Sequence, residues 1–201
     1  MISIYQIKPF FQKVLRPIVR RLAKWGVTAN QVTVAAMVLS FLTGGMLLLY
    51  PEQPRLLLLV PVILFIRMAL NAIDGMLARE HNMKSKLGNI LNELGDVVSD
   101  AALYLPFAFM PYFSAPLIVG IVVLSIVSEM TGVLGVVIGG SRRYDGPMGK
   151  SDRAFLFGLI SLLISLGVPT TKWLSVLLMI TLFLIIWNIL NRIRRALQEV
   201  G

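Results

Sequence analysis

The chain has 201 residues, of which 57% are hydrophobic and only 14% are charged, and its mean hydropathy is +0.80. A soluble domain carries about 25% charged residues, so the composition indicates an integral membrane protein. No cysteine is present, which excludes disulfides, thiolate metal sites and cysteine nucleophiles. The net charge of +9 is spread over several segments, which favours a membrane topology signal over a nucleic-acid-binding surface.

Residues 1–26 are predicted to form an amphipathic helix that lies on an anionic membrane surface. Apolar residues recur there at steps of three and four, from Ile4 to Trp25, with lysines and arginines between them. Pro9 and Pro17 are expected to interrupt or bend this helix. Its simplest function is that of a membrane anchor.

Six apolar segments follow, and each is a candidate to cross about 30 Å of hydrocarbon. They cover residues 28–50, 54–78, 87–112, 115–139, 152–168 and 172–191, and the fifth is the shortest. The predicted fold is therefore all-α, with a six-helix transmembrane domain over residues 27–201. All but three of the 19 lysines and arginines lie in four parts of the chain: the N-terminal segment, the loops 79–87 and 140–153, and the C-terminal end. This bias of positive charge predicts that these parts, and with them both termini, are cytoplasmic.

Polar residues lie at helical spacings around the loop between the second and third spans. Asn71 and Asp74 are three residues apart, while Asn92, Asp96 and Asp100 follow one another at steps of four. Each set therefore lines one face of its helix, and the short loop makes the two helices antiparallel, so that the faces can meet. Such groups are costly at membrane depth unless they form a site. Carboxylate and amide oxygens without histidine or cysteine select hard cations such as Mg²⁺ or Mn²⁺, which bind phosphates.

Gly75, Gly88 and Gly95 lie in the same region. In a membrane helix, glycine allows a second backbone or a bulky ligand to approach closely. Helix packing explains any one of these glycines, but three beside a carboxylate cluster favour a ligand pocket.

This pattern resembles the signature of the CDP-alcohol phosphotransferase (CDP-alcohol phosphatidyltransferase) family. The chain contains D-G-x-x-A-R, eight further residues, and then G-x-x-x-(acid or amide)-x-x-x-D. The matching residues are Asp74, Gly75, Ala78, Arg79, Gly88 and Asp96. The segment V-T-A-N-Q-V-T at 27–33 also resembles the one that opens the family's first span.

Two positions depart from the signature, because Asn71 and Asn92 stand where the family has its first and third aspartates. An amide oxygen can ligate Mg²⁺ but brings no charge, so a two-metal site loses half of the expected negative charge. Asp100, one turn after Asp96, is the better placed of the nearby acids to compensate, since Glu93 points away.

The resemblance implies transfer of a substituted phosphate from a CDP-alcohol to an acceptor hydroxyl, with release of CMP. The implied donor is CDP-diacylglycerol, from the family's usual bacterial role in phospholipid synthesis, although no residue distinguishes it from another CDP-alcohol. The resemblance also implies Mg²⁺ or Mn²⁺, a bacterial inner membrane with a cytoplasmic active site, and a homodimer.

Roles for individual residues follow from the same resemblance. The implied metal ligands are Asn71, Asp74, Asn92 and Asp96, with Asp100 as a further candidate. Asp96 corresponds to the catalytic base, and Asp74 shares the catalytic role. The implied nucleotide-binding residues are Gly75, Ala78, Gly88, Asn30, Thr33 and Arg79. Arg79 is explained equally well by a phosphate contact and by its place at a helix end.

A second polar region is the loop 141–153. Its basic residues and a buried acid of the fourth span are candidates to bind the acceptor: Arg142, Arg143, Lys150, Arg153 and Glu129. These cations would bind an acceptor that is itself phosphorylated, or they only enforce topology. Glu129 would either line the acceptor pocket or form a structural ion pair, for instance with Arg67.

Two other functions compete with the transferase. A catalytically silent relative that binds lipid or nucleotide is suggested by the two asparagines. A small transporter would explain buried polar residues, but not the spacing of the whole signature.

Overall fold

The computed structural model describes residues 4–170 and 172–201, with side chains from residue 11 onward. Every regular element within these residues is a helix, which confirms the predicted all-α class. The α-helices are α1 (Ile4–Lys24), α2 (Ala29–Leu49), α3 (Leu59–Glu80), α4 (Lys86–Tyr104), α5 (Ala115–Val137), α6 (Lys150–Ser165) and α7 (Lys172–Val200). Two short 3-10 helices, Pro54–Leu58 and Leu105–Phe109, precede α3 and follow α4.

Four of the six predicted spans are long and apolar enough to cross a membrane: Ala29–Leu49, Pro54–Glu80, Ala115–Val137 and Lys172–Val200. This agrees with an integral membrane protein. Helix α4 is less apolar because it carries the acids and amides of the signature. Helix α6 has 16 residues and so extends only about 24 Å. The count of six spans and the orientation of the termini stay predictions.

Prolines account for the differences at the element ends. The third span was predicted as one helix over 87–112, but α4 ends at Tyr104 and a 3-10 helix containing Pro106 follows. A proline lacks the N–H that an α-helix needs and disfavours the α conformation of the residue before it. In contrast, α1 runs continuously through Pro9 and Pro17, so the predicted interruption is wrong, while a bend at these prolines stays a prediction. Pro17 lies on the exposed side of α1.

The chain divides into two compact units. The first consists of the described residues up to Phe41 together with Val62–Ser99, and it contains α1, the beginning of α2 and most of α3 and α4. The second consists of Leu42–Pro61 and Asp100–Gly201, and it contains α5, α6 and α7. All signature residues from Asn71 to Asp96 belong to the first unit.

In the first unit, α1 packs against the helix that carries the D-G motif. Leu15 and Val19 of α1 lie in one buried cluster with Ile73, Met76 and Leu77 of α3. These three α3 residues lie among the signature residues, on the same two turns of the helix. Helix α1 is thus part of the core that holds the signature helix, in addition to any contact with the membrane surface.

Two valines of α1 provide a matched test of this packing. Val19 is fully buried and Val14 is 56% exposed. We expect Val19→Ala to lower the free energy of unfolding by about 2 kcal/mol, because two methyl groups are lost from a packed core. Val14→Ala should change it by less than about 0.5 kcal/mol. Thermal unfolding in detergent measures both, and equal effects would show that α1 does not pack as described.

Candidate active site

The site begins at the N-terminus of α2, where a capping box fixes the first turn. The Gln31 N–H donates to Thr28 Oγ1 at 3.3 Å, and the Thr28 N–H donates to Gln31 Oε1 at 2.9 Å. This reciprocal pair satisfies two backbone donors that the helix itself cannot. It sets the positions of Asn30, in the first turn, and of Thr33, one turn further on.

Thr33 connects α2 to the signature helix. Its hydroxyl donates a hydrogen bond to Asp74 Oδ2 at 2.8 Å. The Asp74 carboxylate is buried, with 3% exposure, so its charge is largely removed from solvent. A hydrogen bond to a buried carboxylate stabilises its ionised form and fixes its orientation.

Asn71 connects α3 to α4. Its amide nitrogen Nδ2 donates to Asp96 Oδ1 at 3.1 Å. The two polar faces predicted to meet across this helix pair therefore do so. Asp96 is half-buried, whereas Asn92, one turn earlier on α4, is exposed.

Gly88 brings the beginnings of α2 and α4 close together. A Cβ at this position would lie 2.7 Å from Asn30 Oδ1 and 3.0 Å from Ser85 Oγ. Ser85 caps α4, since its Oγ accepts a hydrogen bond from the Gly88 N–H at 2.9 Å. The glycine is thus required by a close approach of side chains, and Asn30 is brought to the signature by the same contact.

Gly88→Ala tests this close approach. We expect the added methyl group to displace the Asn30 side chain and to lower the free energy of unfolding by about 1–3 kcal/mol, because the contact would be overpacked. Gly45→Ala is the control, because a Cβ there meets nothing within 4 Å and alanine is favoured in a helix. Thermal unfolding in detergent measures both variants, and equal effects would contradict the close approach at Gly88.

Arg79 folds back along its own helix toward Gly75. Its Nη1 lies 3.1 Å, and its Nη2 3.3 Å, from the place that a Cβ on Gly75 would occupy. The guanidinium therefore rests one turn before Arg79, directly over the glycine of the D-G motif. Ala78, between them, is half-buried. This geometry places a cation beside the motif.

The four signature positions of the first unit carry two carboxylates, Asp74 and Asp96, and two amides, Asn71 and Asn92, on the same two helices. Within the described residues there is no group of three or more Asp, Glu, His or Cys side chains arranged to hold a metal. The carboxylate and amide oxygens of the four signature residues are of the type that Mg²⁺ and Mn²⁺ prefer.

The second unit contains a buried cluster of arginines around Glu129 of α5. Arg142 Nη2 lies 3.0 Å from Glu129 Oε2, Arg153 Nη2 lies 3.1 Å from Oε1, and Arg192 Nη1 lies 3.4 Å from Oε2. None of the three is the Arg67 that the sequence suggested. Asp100 adds a second carboxylate, 3.6 Å from Arg153. Three guanidinium groups thus meet two carboxylates in these contacts.

Arg143, another predicted acceptor residue, pairs with two other acids. Arg143 is bonded to Asp145 at 2.8 Å and to Glu199 at 2.8 Å. The hydrogen bond that Arg143 donates to the Asp145 carboxylate raises the pKa of the Arg143 guanidinium, which therefore remains protonated. Lys150 begins α6 and is half-buried.

Sequence reasoning missed Arg192 and Asn188 of α7 as parts of this region. Asn188 accepts a hydrogen bond from Ser128 Oγ at 2.7 Å and donates to the Pro147 carbonyl at 2.7 Å. Arg192 donates to the Ser128 carbonyl at 2.6 Å. The available signal was their spacing, because an amide and an arginine four residues apart in an apolar span lie on one helix face.

The fold and the signature together define a membrane-bound transferase of substituted phosphate groups. A sequence profile of the CDP-alcohol phosphatidyltransferase family matches residues 26–192. The chain belongs to this family, as the signature predicted, and is a CDP-alcohol phosphotransferase.

The chain is similar to known proteins over half to nearly all of its length. It is 51% identical over 195 residues to inner membrane protein YnbA of Escherichia coli K12, covering 97% of this chain and 96% of that one. It is 32% identical over 98 residues to archaetidylinositol phosphate synthase of Pyrococcus horikoshii, covering 49% and 50% of the two chains. The structure of Mycobacterium tuberculosis phosphatidylinositol phosphate synthase (PgsA1) with CDP-DAG bound superposes with a TM-score of 0.79, at 19% identity and with 94% and 96% of the chains covered. At 19% identity, that similarity shows that the two proteins share a fold.

Proposed function

We propose that this protein transfers the phosphatidyl group of CDP-diacylglycerol to the hydroxyl of a small alcohol, releasing CMP, in phospholipid synthesis. The observation that carries the proposal is the pair of hydrogen bonds, Thr33 to Asp74 and Asn71 to Asp96, that orders both signature carboxylates. Structural similarity to a protein with CDP-DAG bound supports a lipid-linked donor. The 27–201 domain is proposed to perform the reaction, with α1 holding the signature helix.

The residues present fit a divalent cation. Asp74 and Asp96 supply two negative charges and Asn71 and Asn92 can supply neutral oxygens, which together form a donor set for Mg²⁺ or Mn²⁺. When bound, the cation neutralises the charge of the donor's pyrophosphate. Asp100 is the weaker candidate ligand, because Arg153 already lies 3.6 Å from its carboxylate.

The protein's own groups would act as follows. Asp96 accepts the proton of the acceptor hydroxyl. One oxygen of Asp96 accepts a hydrogen bond from the Asn71 amide, which orients the carboxylate. The carboxylate has further lone pairs that can take the proton. Thr33 fixes the buried Asp74. Four residues leave room for the nucleotide and contact it: Gly75, Ala78, Gly88 and Asn30. Arg79 offers a cation to the phosphates of the nucleotide.

Purified protein with CDP-diacylglycerol, Mg²⁺ or Mn²⁺ and a panel of alcohols tests the proposal. We expect CMP to be released only when an acceptable alcohol and a divalent cation are both present. Release without dependence on any alcohol would indicate hydrolysis. No release with any alcohol or donor would favour the silent relative that only binds lipid or nucleotide.

We further propose that the acceptor is phosphorylated and that the arginine cluster binds its phosphate. The support is that three guanidinium groups, those of Arg142, Arg153 and Arg192, converge on the single carboxylate of Glu129. Arginine binds phosphate through two parallel N–H donors, and a phosphate could exchange for one of the present carboxylate contacts. Glu129 then positions the guanidinium groups. Arg143 and Lys150 remain candidates in the same loop.

An acceptor comparison tests this role. We expect Arg142→Ala to raise KM for a phosphorylated alcohol by about tenfold or more and to leave KM for a neutral alcohol unchanged, because one charge-assisted contact is worth about 1.5–3 kcal/mol. Lys172→Ala, at the start of α7, is a control for loss of one positive charge. Equal effects on both acceptors would contradict the phosphate site.

We also propose that the chain lies in a bacterial inner membrane with both termini and the signature on the cytoplasmic side. The bias of the basic residues supports this orientation, and the relative in E. coli is named an inner membrane protein. The homodimer implied by the family stays a prediction.

A further inference from the structure

We propose that this site holds one divalent cation, and that the Asn71 amide takes the place of a second one. The inference deepens the proposed function, since it concerns the cofactor of the same site. It starts from the contact between Asn71 Nδ2 and Asp96 Oδ1, 3.1 Å long, in which the amide presents hydrogen to the carboxylate.

An aspartate at position 71 would place two carboxylates at this separation. Two such groups repel each other unless a proton or a cation lies between them. The asparagine removes that repulsion, because the positive end of its amide dipole faces Asp96. The pair is therefore satisfied by its own hydrogen bond, and a cation bridging the two side chains would have to break it.

The charge of the remaining side chains leads to the same conclusion. Two cations about 3.5–4 Å apart bring four positive charges, which require several carboxylates and usually a bridging one. The four signature positions of this chain supply two negative charges, from Asp74 and Asp96. Asn92 is exposed and neutral, and Asp100 has Arg153 at 3.6 Å.

Asp74 and Asp96 match the charge of a single cation. Asp74 is buried and is oriented by the Thr33 hydroxyl at 2.8 Å. Its carboxylate is therefore already fixed in position before a cation binds. Preorganised ligands favour binding because no side chain has to be ordered on binding. The donor set thus fits one Mg²⁺ or Mn²⁺ and lacks the charge for two.

Manganese is the probe that tests the inference, because its electron paramagnetic resonance spectrum reports on number and proximity. Wild-type protein in detergent micelles is titrated with Mn²⁺ in the presence of CMP, and bound metal is counted by equilibrium dialysis. The comparison is the double variant Asn71→Asp with Asn92→Asp. Gln198→Glu adds a carboxylate at the exposed end of α7 and controls for charge alone.

We expect one Mn²⁺ per wild-type chain, with an uncoupled six-line spectrum, and the same for Gln198→Glu. The double variant should take up a second ion and show an exchange-coupled spectrum. Two coupled ions in the wild type would overturn the inference, as would the absence of any bound Mn²⁺. Should the double variant fail to fold, the wild-type count decides alone.

Failure of the proposed function is seen separately. One bound Mn²⁺ without turnover on any alcohol would remove the transferase proposal and leave the metal inference standing. Turnover with two coupled ions would leave the transferase proposal standing and overturn the metal inference.

Discussion

Asp74→Ala and Asp96→Ala are each expected to reduce CMP release by about 10³-fold or more. Asp74 is a buried carboxylate held by Thr33, and Asp96 is the group placed to take the acceptor proton. Loss of a general base alone costs about 10²–10⁴-fold, and loss of a cation ligand adds to it. The initial rate of CMP release at saturating donor and Mg²⁺ measures both effects.

Matched variants separate charge from folding. Asp74→Asn keeps the shape and a hydrogen-bonding partner for Thr33 but removes the charge, so its loss of activity should be close to that of Asp74→Ala. Glu52→Ala removes an exposed carboxylate from the loop before the first 3-10 helix and should leave the rate unchanged. Wild-type rates in either Asp74 variant would show that the signature carboxylate does not act in the reaction.

Glu129→Ala is expected to lower the free energy of unfolding by about 3–5 kcal/mol, the cost of leaving buried charges without their partner. Glu129 contacts the guanidinium groups of Arg142, Arg153 and Arg192, and the latter two are almost fully buried. For a chain of this length the loss corresponds to a fall in Tm of roughly 6–20 °C. Thermal unfolding in detergent, followed by circular dichroism, measures it.

A double-mutant cycle distinguishes the ion cluster from simple loss of volume. Glu129→Leu alone should be strongly destabilising, and Arg192→Met alone less so, because Glu129 keeps Arg142 and Arg153 as partners. The two together should cost less than the sum of the single effects, because Arg192→Met removes one of the buried charges that Glu129→Leu leaves without its partner. Additive losses would show that Glu129 and Arg192 do not act as a pair.

The family and the principal contacts of the site could be predicted from the sequence because they depend on spacing. A helix repeats every 3.6 residues, so Asn71 with Asp74, and Asn92 with Asp96, had to share faces, and the short loop between their helices made those faces meet. The all-α class followed similarly from apolar segments of spanning length. The contact from Asn71 to Asp96 is the direct outcome of this reasoning.

Contacts that depend on tertiary packing could not be predicted in this way. Spacing places Arg192 and Asn188 on one face of α7 but does not say that Glu129 and Ser128 lie opposite. Periodicity shows that α1 has an apolar face, yet whether lipid or protein covers it depends on packing, and Val19 proves to be buried against α3. The direction of the Asn71 amide, which presents hydrogen to Asp96, also becomes visible only when the two helices are placed together.

The most direct test is to analyse the lipid product formed from CDP-diacylglycerol and a phosphorylated alcohol by mass spectrometry while CMP is measured in the same reaction. We expect a lipid in which the phosphatidyl group is joined to the alcohol, formed in equal amount with CMP, dependent on Mg²⁺ or Mn²⁺ and absent with Asp96→Ala. A protein that binds CMP and metal but forms no such lipid from any donor and alcohol, or an Asp96→Ala variant that forms it at the wild-type rate, would contradict phosphatidyl transfer at this site.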